Sequence, residues 1–349
     1  MQKINSFNGL RFICAVWIVL CHLVSWSFKT PFFHTAFLAV EVFLILSGFL
    51  LAKSYEKMHA SSNLLLCRKY FFRRFKRLWP EYIFSVFLTY CFFNAFGQGV
   101  WPQPLGLNLA MMAGQGGIHH IQEGVWYIAV LMWGGCLLFN ILVFGKDKAK
   151  TIILPLISFL CLFFLTNHGG VNGHLVPIDY ELINRGFIRG LLGLTVGIYT
   201  YWICDFLKAH KLPLKKEWTN RFLLLGEFIS VIALFYTFTF QKIADSSDFN
   251  IYFYISFLIG LLYFKRETLL KFLSWKFWAP FGKVSYMLYL THFIVIDIFK
   301  TQWGEWGTQH LLLTYCIILP TAVVLAFCCY WEQKWLFGKL KQVLFKRQR

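Results

Sequence analysis

The sequence predicts an all-α, polytopic integral membrane protein with about ten transmembrane helices and both termini in the cytoplasm. Three observations predict it. Of 349 residues, 58% are hydrophobic and 14% charged, with a mean hydropathy of +0.57; a soluble domain averages about 25% charged. Apolar runs recur at 12–28, 37–52, 79–96, 125–144, 151–166, 186–205, 222–240, 250–264, 285–299 and 311–331, most of them near the ~20 residues that a spanning helix needs. Of the 34 Lys and Arg, all but Lys29, Arg185, Arg189, Lys242 and Lys300 fall on one side of that threading, a bias that sets orientation. The formal charge of +18 is thereby a topology signature, and nucleic acid is not expected as a partner. The chain reads as a single membrane domain, residues 1–349, with apolar spans over 12–331 and a basic cytoplasmic tail over 332–349.

The first span lacks a small-x-small cleavage site and is expected to be retained. Arg11 stands at its entrance and His22 within it. Eleven residues at about 100° each return to nearly the same face, with a rise of about 16 Å. An ionisable group at that depth marks a functional site. The spacing suits a long, anionic, thioester-bearing cofactor entering from the Arg end. Arg11 alone would equally serve as a positive-inside anchor; the face it shares with His22 favours the ligand role.

Glu41 enters the second span at a depth matching His22. It is expected to touch the imidazole, orient it and stabilise its protonated form. Such a His takes a proton from a hydroxyl as that hydroxyl attacks a carbonyl. The alternative is a plain interhelical hydrogen bond. Ser47, in the same span, is a candidate oxyanion donor.

The connection over 53–78 carries eight Lys or Arg interleaved with aromatics and predicts an interfacial helix. Pro80 is expected to open the third span, where a missing N–H costs least. Arg73, Arg74, Lys76 and Arg77 suit bidentate phosphate binding, and they also suit lipid headgroups. The loops 97–124 and 167–185 are rich in Gly, Asn, Gln and His. They could receive a hydroxyl-rich acceptor or simply connect helices. Their histidines have no carboxylate or Cys completing a ligand set, so no metal is expected. The ten cysteines form no CxxC pair and read as packing residues.

Trp126 opens the fourth span. The segment 265–283, with Trp275 and Trp278, and the basic tail are expected to lie on the anionic inner leaflet. Late in the chain, Ser285, Tyr289 and His292 repeat at i, i+4 and i+7 and share a face. They would line a substrate path, or His292 would serve as a structural hydrogen-bonding residue.

Taken in order, these residues resemble the bacterial membrane-bound acyltransferase family 3. Asn8-Gly9-Leu10-Arg11 followed by His22 looks like its Arg-x10-His motif. Val40-Glu41-Val42-Phe43 with Ser47-Gly48-Phe49 resembles its second-helix signature. Arg74-Phe-Lys-Arg77 before Pro80 is similar to its Arg-x-x-Arg motif. Gly282, Ser285-Tyr286, Tyr289 and His292 look like its late-helix signature. The resemblance implies an O-acetyltransferase of the bacterial cytoplasmic (inner) membrane. Its donor would be cytoplasmic acetyl-CoA or another acyl-CoA, and its acceptor a hydroxyl on an extracytoplasmic glycan or lipid-linked sugar. It implies catalysis by His22, and CoA handling by Arg11, Arg74 and Arg77; Arg73 joins them on chemistry. One position departs: Leu131 stands where many members carry Glu. The competing class is an exporter of a lipid-linked or anionic metabolite. Ten spans with intramembrane His and Glu fit it, but no internal repeat is visible.

Overall fold

The computed structural model describes residues 5–26, 30–95, 105–112, 124–171, 184–210, 217–243 and 246–346. Among these, the structure is helical and contains no strand. The principal helices are α1 (Ser6–Trp26), α2 (Val40–Lys57), α3 (Asn63–Ala95), α4 (Leu105–Leu109), α5 (Val125–Asn167), α6 (Arg185–Ala209), α7 (Glu217–Thr239), α8 (Asn250–Phe264), α9 (Trp278–Gln309) and α10 (Leu311–Lys346). Seven stretches, all but those in α3, α4 and α8, are long and apolar enough to cross a membrane.

The 43 residues of α5 would span about 65 Å as a straight helix, twice a bilayer core. The chain breaks instead at Lys146, with φ 45° and ψ −121°. Its two arms run oppositely along α6. In the first, Val130 faces Gly190 and Gly134 faces Leu194. In the second, the Tyr199 hydroxyl donates to the Lys150 carbonyl at 2.9 Å and Ser158 donates to Thr195 at 2.9 Å. Rising numbers therefore match rising numbers in one arm and falling numbers in the other. α5 is a hairpin, in agreement with the separate runs 125–144 and 151–166.

Helix packing follows the small residues. A Cβ on Gly48 would lie 2.0 Å from the Leu194 carbonyl oxygen, and one on Gly197 2.0 Å from that of Ile45. These glycines let α2 and α6 approach backbone to backbone, the usual way lipid-embedded helices gain packing energy. Gly282 does the same for α9, where a Cβ would meet that of Asn8 at 2.3 Å. Large apolar side chains such as Phe159, Phe163, Phe222 and Leu312 are exposed on the outer surface, as a lipid-facing belt requires.

Two expectations change. Pro80 does not open a helix; it lies inside the continuous 33-residue α3, so the basic segment and the third apolar run are one element. The tail likewise continues the last span within α10. In both places the backbone stays helical through the change between apolar and basic residues, in α3 even through Pro80.

Candidate active site

The N-terminal end of α1, the C-terminal end of α2 and the basic half of α3 meet at one end of the bundle, called here the basic end. Two adjoining cavities lie there and share Ser47, Arg77, Leu78 and Leu131 as wall. The smaller, about 90 Å³, is lined by Tyr70, Arg73 and Arg74. The larger, about 240 Å³, is lined by Asn8, Arg11, Tyr127, Lys283, Ser285 and Tyr289. The four arginines singled out by sequence, with Ser47, Ser285 and Tyr289, thus face one connected cleft.

Arg74 is the best-anchored member. Its Nε donates to the Leu131 carbonyl and its Nη1 to the Tyr70 hydroxyl at 2.7 Å. Tyr70 stacks flat on Phe139, 3.8 Å between centroids. Burial pushes the Tyr70 phenol above its ordinary value, so it stays protonated and accepts as a neutral group. Gly135 leaves room for the guanidinium, since a Cβ there would lie 2.8 Å from Arg74 Cζ. Leu131 sits in a π-helical turn, Val130–Gly134, a distortion frequent at functional sites. At the position where a family carboxylate is often found, this chain offers Arg74 a main-chain carbonyl.

Rings continue inward from the cleft. Tyr127 and Tyr289 lie 5.2 Å apart between centroids, Tyr289 and His292 6.1 Å, and His292 and His22 5.2 Å. The Tyr289 hydroxyl donates to the Gly124 carbonyl at 2.8 Å. His292 is fully buried, and its Nδ1 lies 3.1 Å from the Leu288 carbonyl. His22 also packs on Phe293 at 4.7 Å. The imidazole therefore stands beyond the inner wall of the cleft, and Tyr289 separates it from the arginines.

Glu41 has a different partner from the one expected. Its carboxylate is fully buried and paired with Arg189 of α6, and Tyr252 neighbours it. Arg189 also donates to the Val171 carbonyl at 3.0 Å, and its guanidinium lies between the rings of Phe37 and Trp126, at 5.4 and 5.6 Å. The contact of Glu41 with His22 gives way to an ion pair, and Trp126 belongs to that pair. Arg189 is the residue that sequence reasoning passed over, as an outer-side cation. The available signal was an arginine inside a glycine-rich apolar run, Arg189-Gly190-Leu-Leu-Gly193, since a buried charge in lipid needs a counter-charge. His119, His120 and His174 lie outside the described residues. Among the described residues, no group of three His, Cys, Asp or Glu could hold a metal ion.

Comparison with known proteins places this geometry. An acyltransferase-domain family model matches residues 4–331. A nematode (Caenorhabditis elegans) protein named "Nose resistant to fluoxetine protein 6" is 21% identical over 86% of this chain. The chain spans about half, 46%, of the length of that relative. No solved structure matches. The match over nearly the whole length shows that the chain belongs to the acyltransferase 3 family.

Proposed function

We propose that the protein is an acyl-CoA-dependent O-acetyltransferase of the bacterial cytoplasmic membrane. It threads ten times with both termini inside. It moves an acetyl group from cytoplasmic acetyl-CoA to a hydroxyl of an extracytoplasmic polysaccharide, oligosaccharide or lipid-linked sugar. The observation that carries this reading is the connected cleft, where Arg73, Arg74 and Arg77 converge with Arg11, which stands about 16 Å along α1 from His22.

In this mechanism the arginines hold the CoA phosphates, Arg74 presenting a fork already oriented by Leu131 and Tyr70. The thioester arm lies along the Arg11–His22 face, past Ser285 and Tyr289. His22 takes the proton of the acceptor hydroxyl as its oxygen bonds to the thioester carbonyl. The oxyanion accepts from a nearby hydroxyl, Ser47 or a Tyr289 that turns its O–H away from the Gly124 carbonyl it meets at rest. The C–S bond breaks, and the CoA thiolate takes the proton back from His22. The products are the acetyl ester and CoA thiol. His292, packed on His22, and the Glu41–Arg189 pair act as positioning groups around this path, and Trp126 supports the pair.

The test is the O-acetylation of cell-surface glycans by NMR in wild type, a gene deletion and His22→Ala. The reading expects one acetyl resonance to vanish in both mutants. Retention of that resonance in His22→Ala, at normal protein level, removes His22 as the base. An exporter would move an intact solute and leave every acetyl resonance in place.

A further inference from the structure

A cavity of about 750 Å³ opens on the basic end, on a different face of α2 from the arginine cleft, and shares no wall residue with it. Lys53, Lys57, Lys208, Lys265 and Lys271 converge on it from α2, α6, the end of α8 and the 3₁₀ segment Leu269–Ser274. Among the described residues, none of the five has a carboxylate within ion-pair distance. The one carboxylate on the wall, Glu267, accepts from Ser274 at 2.7 Å. Glu56 and Asp205 stand near Tyr263, and Glu56 is taken by the Tyr201 hydroxyl at 2.6 Å.

Flanking lysines at a membrane boundary ordinarily extend into water. Lys53 departs from this: it is only 7% exposed, and its ammonium sits 5.2 Å from the Tyr263 ring centroid. Burying an ammonium without a carboxylate is costly, and four further ammonium groups around the same space raise that cost by mutual repulsion. An anion in the cavity relieves both. The chain also supplies an apolar neighbour. A groove of about 270 Å³ between α6, α7 and α8 meets the cavity at Phe264, is walled by Ile203, Phe253 and Phe257, and ends at Arg266.

We propose that the lysine cavity is a second anion site, separate from the arginine cleft, that takes a phosphate group. The adjoining groove suits the chain of an anionic phospholipid whose headgroup occupies the cavity; a soluble phosphate would use the cavity alone. The proposal does not rest on the acyl-transfer reading.

The test uses the full chain in neutral detergent, titrated separately with dioctanoyl-phosphatidylglycerol and with inorganic pyrophosphate, and read by a binding isotherm. Three variants are compared with wild type: Lys53→Gln, the exposed pair Lys57→Gln/Lys271→Gln, and Arg74→Gln in the other cleft. Each lost charge-assisted contact costs about tenfold or more in affinity. The expected result is binding of at least one probe by wild type, weakened about a hundredfold in the lysine pair, which loses two contacts, and retained in Arg74→Gln. Lipid binding with no pyrophosphate competition assigns the source to the membrane; binding of both assigns a general phosphate site. The exposed pair keeps the test decisive if Lys53→Gln does not fold. Wild-type affinity for both probes in the lysine pair, loss in Arg74→Gln to the same extent, or no binding of either probe by wild type overturns the proposal.

Discussion

Arg74 uses two donors on Leu131 and Tyr70 and keeps the others for the cleft, whereas Arg189 meets Glu41, Val171 and two aromatic rings. On the proposed function the first arginine serves a ligand, while the second serves the fold. Arg74→Lys keeps the charge and loses the planar fork. On the proposed function, KM for acetyl-CoA rises about tenfold or more while kcat changes little; an unchanged KM would remove Arg74 from donor binding. Arg189→Ala leaves Glu41 buried and unpaired, a loss of about 3–5 kcal/mol. It should show as a lower thermal midpoint in detergent, and Glu41→Leu/Arg189→Leu should recover most of it. Persistence of the wild-type midpoint in Arg189→Ala would contradict the pairing. That Arg11, Arg73, Arg74 and Arg77 gather at one end of the bundle was legible in the sequence, because residue type and helical spacing are local facts. The partner of Glu41 was not, because it lies 148 residues away and is chosen by how α2 packs on α6.

At the scale of elements, the apolar runs anticipated the existence of α1, α2, both arms of α5, and α6 to α10, since each is a local hydropathy signal, while α9 and α10 extend well beyond the runs 285–299 and 311–331. Pro80 misled because a proline is a local breaker while α3 remains helical through it. The glycines that join α2 to α6 carried no periodic hydrophobic signal, yet Gly193 and Gly197 are four apart and face one seam. Gly197→Leu forces a side chain into the Ile45 carbonyl and should abolish folded protein in the membrane, read as loss of a monodisperse peak in detergent. A normal peak would mean that the seam tolerates bulk. The α5 hairpin yields a topology prediction as well. Lys146→Cys, at its tip, should react with an impermeant thiol reagent applied from the cytoplasmic face and resist it from outside; labelling from outside would invert the proposed threading.

For the whole molecule, the arrangement is polar along the bundle. The arginine cleft and the lysine cavity occupy one end, and the Glu41–Arg189 pair lies away from it. His22 stands between them, behind Tyr289. On the proposed function, that polarity suits a donor on one side and an acceptor on the other. The measurement that tests it most directly follows radiolabelled acetyl-CoA supplied to the cytoplasmic face of sealed vesicles that carry the glycan on the opposite face. Wild type and His22→Ala are compared at matched membrane levels. Label reaching the glycan in wild type and absent from it in His22→Ala is the predicted result. Transfer by His22→Ala at the native rate, or label that never leaves CoA in wild-type vesicles, would contradict it.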